Sequence, residues 1–370
     1  MVIASLVFTL LLGGLVSIVS RFDSERLQEV MLKALPIAGI LVVTVVVSLR
    51  RVFGPERVDN QLMNLAVAMV SLVSVLLIAE FSIRQILPKW DGLGTTIAYS
   101  QTRWKRDIRV NALGYREREI DLTNAGDSFR IAVIGDSFTF GQGVREDDRF
   151  TNILQVELDK TPGIYEVLNF SRPGAETVHH LQMLENDVLN LRPDFILLQW
   201  YVNDVEGADK TGRPSPIVIV PAEFRENSAF LSLFHDLFMS LQERAGLTES
   251  YDDYMVRKFS DPSSRASEEA QQALAAFMDV ASENGIPVGI VLFDRFISRD
   301  SQLGFLLDRT LVLCEERAIQ CLDLRGTFEP YKGNRVLWAN WGDRHPSPFA
   351  HGLVAESILE KFGEAWGLPK

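Results

Sequence analysis

Apolar positions divide the chain at about residue 87. Before that point three uncharged runs follow one another: Val2 to Ser20, Ala34 to Leu49 and Leu62 to Ala79. A bilayer core is crossed by about 20 residues of helix, with a range of about 17 to 25. The first and third runs meet that length. The second reaches it by extending back through Val30, Met31 and Leu32, with Lys33 snorkelling to the interface. The pattern predicts three transmembrane helices in residues 1–87. The first run lacks a basic leader and a small-x-small cleavage site, which favours a retained helix over a cleaved signal peptide. Arg50, Arg51 and Arg57 place the link after the second run in the cytoplasm, so that everything after the third run lies outside. Arg84, Lys89, Arg103, Lys105 and Arg106 pull against that orientation.

Residues 88–128 open with Pro88 and the Gly92-Leu93-Gly94 turn and keep no steady period, so they read as a connector. A linker lying on a domain surface fits them, and Trp104 and Tyr115 supply groups with which to pack. From Phe129 onward the period alternates. Strands are expected at 129–135, Tyr165 to Phe170, Phe195 to Val202, Val288 to Phe293 and Ile319 to Leu324. Between and after them, helical spacing covers Phe150 to Leu158, Val178 to Leu191, Glu268 to Asn284, Leu303 to Ala318 and Phe349 to Trp366. Five apolar strands alternating with helices predict an α/β domain, 129–370, with a five-stranded parallel sheet covered on both faces. Residues 205–266 are too long for an ordinary connection and read as an insertion. Within it, Phe230, Leu231, Leu233, Phe234, Leu237, Phe238 and Leu241 give an amphipathic helix. That helix either covers the core or serves as a lid or membrane-facing element.

Charge and cysteine content narrow the partners. A net charge of −12 leaves no basic footprint and excludes nucleic acid as the expected partner. Cys314 and Cys321 form no framework and no zinc spacing, so they read as buried thiols, or as a disulfide if the domain lies outside the cytoplasm. Adjacent helical residues point about 100° apart. His179 and His180 therefore read as one exposed and one partly buried histidine rather than as a metal pair. No metal and no cofactor are expected.

The candidate chemistry sits at strand ends, where open α/β sheets bind their ligands. The first strand ends in Gly135-Asp136-Ser137, and by itself this could be a helix cap. A nucleophilic serine requires a base, an acid to orient the base, and donors for the oxyanion. The loop after the second strand carries Gly174, whose backbone N–H can face a pocket unobstructed. The third strand runs into Asn203-Asp204, which offers a side-chain amide. The loop before the terminal helix reads Asp343-Arg344-His345, a carboxylate two residues from an imidazole. Gly-x-Ser-x-Gly, P-loop and GxGxxG patterns are absent from the sequence.

In this order, Gly135-Asp136-Ser137, Gly174, Asn203 and Asp343/His345 resemble the successive blocks of the SGNH, or GDSL, hydrolase superfamily over about residues 129–366. The resemblance implies a flavodoxin-like three-layer sandwich and acyl-ester chemistry. It makes Ser137 the nucleophile, His345 the base and Asp343 its orienting acid, with Ser137 N–H, Gly174 N–H and Asn203 as the oxyanion hole. Two positions depart from the family pattern. Gly342 stands where the usual Asp-x-x-His spacing has its acid, and Asp343 is one residue closer, as in members similar to polysaccharide O-acetyltransferases. Ser171 stands where many relatives have glycine. Asn111-x-x-Gly114-Tyr115-Arg116 also resembles a segment of membrane-anchored members linked to bacterial envelope polysaccharides.

The expectation is therefore an esterase or O-acetyltransferase acting on acylated glycan. It would be anchored in the bacterial inner membrane with its catalytic domain extracytoplasmic, in contact with the lipid bilayer through its helices. A lipid esterase and a non-catalytic scaffold on the same fold are the alternatives.

Overall fold

The computed structural model describes residues 108–120, 128–207, 210–215, 217–225, 228–294, 301–339 and 344–368, with some helical residues between 68 and 83. The first two expected transmembrane helices and most of the third lie outside the described residues. Among the described residues no helix is long and apolar enough to cross a membrane.

The chain separates into two compact units, residues 1–87 with 220–234, and residues 88–219 with 235–370. In the first unit, Glu80 lies in a helical stretch that includes residues 75–80. Its buried carboxylate accepts from Ser228 Oγ at 2.8 Å and from the backbone N–H groups of Ala229 and Phe230 at 3.0 and 2.8 Å. Those two N–H groups open the helix Ala229–Arg244 of the insertion and would otherwise lack intrahelical partners.

The larger unit is built on five parallel strands: β1 (Phe129–Gly135), β2 (Tyr165–Ser171), β3 (Phe195–Tyr201), β4 (Val288–Phe293) and β5 (Gln320–Asp323). Their order in the sheet is β2-β1-β3-β4-β5. Successive strand residues point to opposite faces. Ala132, Ile134, Leu198, Trp200, Ile290 and Leu292 therefore enter one core, and Ile131, Val133, Leu197, Val291 and Phe293 enter the other. The second core is closed by α1 (Phe150–Leu158) and the terminal helix α5 (Pro348–Phe362). The first is closed by α2 (Thr177–Met183), α3 (Arg265–Glu283) and α4 (Gly304–Glu316). This is the α/β three-layer arrangement with a five-stranded parallel sheet that the sequence predicts.

Three features of this unit differ from expectation. The helix read as Val178 to Leu191 starts at Thr177 and contains a π turn, Leu184–Val188, before ending at Leu191. The insertion holds a second full helix, Tyr251–Phe259, whose Tyr254, Met255 and Phe259 are buried. Cys314 and Cys321 are joined in a disulfide with Cα atoms 6.3 Å apart, which corrects the thiol reading. The end of α4 and the start of β5 bring the two cysteines together.

The stretch read as a connector packs closely where it is described. Asn111 Oδ1 accepts from the N–H groups of Leu113 and Tyr115, forming a tight turn with Gly114 at φ +84°. Tyr115 is fully buried against Phe170. Glu117 accepts from the N–H of Asn169 on β2, the strand at the edge of the sheet.

Candidate active site

At the carboxyl end of β1 the chain turns within one residue into the short helix Ser137–Phe140. Asp136 caps it: its carboxylate accepts from the N–H of Phe138 at 2.9 Å. Asp136 thus takes the bracing role open to it from sequence. Gly141, at φ +75°, ends the turn in a left-handed conformation. Beneath it, Gln199 Oε1 on β3 accepts from the N–H of Asp136 at 3.0 Å and from Thr139 Oγ1 at 2.9 Å. Gly135 leaves no room for a side chain, since a Cβ there would stand 2.2 Å from Thr139 Oγ1 and 2.6 Å from Gln199 Oε1.

Ser137 and His345, 208 residues apart in sequence, meet at this turn. The Ser137 Oγ to His345 Nε2 distance is 2.8 Å. The imidazole packs edge-on against Phe138 with ring centres 5.1 Å apart. Its backbone is fixed as well: the His345 carbonyl accepts from the N–H of Ala339 at 2.8 Å, and the Ser347 N–H donates to the Leu337 carbonyl at 2.9 Å. Ser347 then caps α5 through the N–H of Ala350, with Pro348 in the first turn. The histidine is therefore held two residues ahead of the Ser347 cap of this helix.

Gly174 and Asn203 lie at the corresponding ends of the neighbouring strands. Gly174 follows β2 in an exposed turn at φ +75°, a conformation that favours glycine. The turn is tied to β1 by the Arg172 N–H, which donates to the Gly135 carbonyl at 3.2 Å. Asn203 is half-buried in the 3₁₀ turn Val202–Val205 that follows β3. Because β2 and β3 flank β1, all three candidate oxyanion residues stand on adjacent strand ends. Asp343 lies outside the described residues.

The other histidines serve different ends. His180 is fully buried and its pKa is pushed down to about 3, chiefly by burial. It lies 3.6 Å from Asp204, whose pKa is raised by burial and then by the nearby charge of Asp136. With the imidazole neutral, this is a dipolar contact rather than an ion pair. His351 is likewise buried and pushed down to about 3 by burial, and its Nδ1 accepts from the N–H of Phe150 at the start of α1. His179 is 45% exposed. The sequence reading of the 179–180 pair holds for His179 but understates His180, which is wholly enclosed.

The site has supports that sequence reasoning missed. The buried Arg116 guanidinium donates to the carbonyls of Phe140, Gly141 and Val144, the segment immediately after the nucleophile turn. Buried Arg149 donates in turn to the Arg116 carbonyl. Asp136 itself is held protonated more readily than an ordinary carboxylate, with a pKa raised to about 6 by burial. The only sequence signal for Arg116 was its place in the Asn111–Arg116 motif.

Residues 131–358 match the family described as GDSL-like Lipase/Acylhydrolase. The chain belongs to this family. Its enzyme class is accordingly that of a serine ester hydrolase. Among curated proteins, none matches the acylhydrolase significantly. Several solved structures are similar to it. TesA is 14% identical with a TM-score of 0.42, covering 64% of this chain and 98% of its own. A catalytic mutant of an acetylxylan esterase from Geobacillus stearothermophilus is 16% identical with a TM-score of 0.41, covering 64% and 95%. The psychrotrophic esterase EstA from Pseudoalteromonas sp. is 11% identical with a TM-score of 0.39, covering 65% and 100%.

Proposed function

We propose that this acylhydrolase cleaves or transfers O-acyl groups on glycans of the cell envelope through an acyl-enzyme on Ser137. The single observation behind the mechanism is the 2.8 Å approach of Ser137 Oγ to His345 Nε2. Ser137 Oγ attacks the ester carbonyl as its proton passes to His345 Nε2. The N–H groups of Ser137 and Gly174 and the Asn203 amide receive the oxyanion. The tetrahedral adduct then collapses, and the departing alcohol takes the proton from His345. Water, or a hydroxyl of a second glycan, attacks the acyl-enzyme as its proton passes to His345, which returns it to Ser137 Oγ as the acyl–oxygen bond breaks. Asp343 orients the imidazole in this scheme.

The location belongs to the same proposal. The three apolar runs before residue 87 anchor the chain in the cytoplasmic membrane, with the catalytic domain outside. The Cys314–Cys321 disulfide supports that side of the membrane, because disulfides persist in oxidising compartments. A second reading, a lipid esterase, draws on Phe234, Leu237 and Leu241, which are exposed on one face of the insertion helix.

Full-length protein treated with a fluorophosphonate should carry the label on Ser137, and S137A should remain unlabelled. S137A releasing acetate from 4-nitrophenyl acetate at the wild-type rate would end this reading. The mass of the trapped acyl group separates the two substrate classes: an acetyl adduct fits the glycan, a long acyl adduct the lipid.

A further inference from the structure

Beside Gly174 the surface opens into a cavity of about 460 Å³. Its polar lining comes from Arg172, His179, Gln182, Asn186 and Asp187, and Gly174 forms part of its wall. Small-molecule sites fall in a range of about 300–1,000 Å³. Whatever fills this one lies next to the glycine assigned to the oxyanion hole.

The lining is built rather than merely exposed. Tyr115, fully buried, donates its hydroxyl to Asp187. The Arg172 guanidinium lies 4.8 Å over the Tyr115 ring, and 3.9 Å from the Asp187 carboxylate. The π turn Leu184–Val188 carries Asn186 and Asp187, and such turns occur frequently at functional sites. The His179 ring is tethered at Nδ1 by the N–H of Glu176.

The chemistry of the lining selects the ligand class. The Gln182 and Asn186 amides each offer donors and an acceptor. Arg172 only donates, Asp187 only accepts, and as neighbours 3.9 Å apart their charges cancel. The apolar wall is limited to Pro173, Ala175 and Met183, of which the last two are buried, so an acyl chain finds little cover, and a polyanion would meet Asp187. A neutral molecule with many hydroxyls satisfies the set. Resting on the hydrolase reading above, we propose that this cavity is the subsite for the saccharide portion of the substrate. A neutral oligosaccharide occupies it with its acylated hydroxyl directed past Gly174 to Ser137.

The test uses full-length protein in detergent with O-acetylated cello-, xylo- and manno-tetraoses, and 4-nitrophenyl acetate as a small ester. The paired variant Gln182→Ala/Asn186→Ala removes two exposed side chains, and its thermal unfolding midpoint checks the fold. The expected result is a KM for the accepted tetraose about tenfold higher, as the loss of two ordinary hydrogen bonds implies. That loss should exceed any loss on 4-nitrophenyl acetate by a similar factor. An unchanged tetraose KM, or an equal loss on both esters, overturns the subsite. So does failure of all three tetraoses both to react and to inhibit 4-nitrophenyl acetate hydrolysis. Fluorophosphonate labelling of Ser137 in the unaltered protein reads the hydrolase assignment separately. A labelled serine with an insensitive tetraose KM rejects the cavity alone, and an unlabelled serine rejects the assignment beneath it.

Discussion

The Arg116 guanidinium donates to the Gly141 carbonyl at 2.9 Å. It joins a segment upstream of the sheet to the residue that ends the nucleophile turn. The same group serves the carbonyls of Phe140 and Val144. Arg116→Ala leaves three carbonyls without their charged donor. A stability loss of about 3 kcal/mol is expected, since hydrogen bonds to charged groups contribute roughly 1.5–3 kcal/mol. Arg116→Lys should recover little, because a single ammonium does not reproduce the planar fork. Urea unfolding of the three proteins measures this, and equal midpoints for wild type and Arg116→Ala would refute it.

Ser137 and His345 act on one proton, so their removals should not add. Either single alanine variant is expected to lower kcat by about 10³-fold or more, and the double variant by about the same amount. Steady-state kinetics on 4-nitrophenyl acetate gives the comparison. Losses that multiply would mean that the two residues work independently.

Gly135→Ala should damage the site without touching substrate. The added Cβ meets Thr139 Oγ1 and Gln199 Oε1 well inside contact distance, and both belong to the network beneath Ser137. Overpacking of this kind costs about 1–3 kcal/mol. A lower unfolding midpoint together with slower fluorophosphonate labelling is the expected result. Wild-type values for both would show that the turn yields easily.

His180 gives the protein a specific acid sensitivity. Its folded pKa of about 3 lies below the ordinary 6.5. As pH falls below 6.5, the unfolded chain binds a proton that the folded chain refuses, and the folded state loses about 1.4 kcal/mol per pH unit. Glutamine at this position does not titrate. The stability difference between wild type and His180→Gln should be constant well above pH 6.5 and shift against wild type by about 2 kcal/mol between pH 6.5, where the unfolded imidazole is already half protonated, and 4.5. Denaturant titrations at four pH values test it; parallel curves would contradict the burial argument.

Much of the sheet was legible because its central strands are buried on both faces, which leaves apolar runs such as Ile131–Gly135 and Val288–Phe293. Strand ends then located Ser137, Gly174 and Asn203 on adjacent edges. The helix Tyr251–Phe259 was not legible. Tyr251, Tyr254, Met255 and Phe259 do stand at helical spacing, but four of the nine residues are charged and the stripe lasts little more than two turns, too short to stand out within the long insertion. The π turn left no mark in the period, since one widened turn hardly shifts the pattern. The Cys314–Cys321 bond needed the fold, because a spacing of seven residues says nothing about a helix end and a strand start being brought together. The role of Arg116 was hidden for a similar reason: its partners are backbone carbonyls, which carry no residue identity.

Glu117 occupies the outer rim of β2 through the N–H of Asn169. Strand rims with free pairing groups invite other strands. A shortened chain beginning at Phe129 keeps every strand and both Ser137 and His345, and so looks sufficient on a sequence map. It would nevertheless expose that rim to other copies and loosen the turn behind the nucleophile. Self-association and a poorly formed centre would then arrive together, and aggregated or inactive material from such a fragment would say nothing about the chemistry of the whole protein.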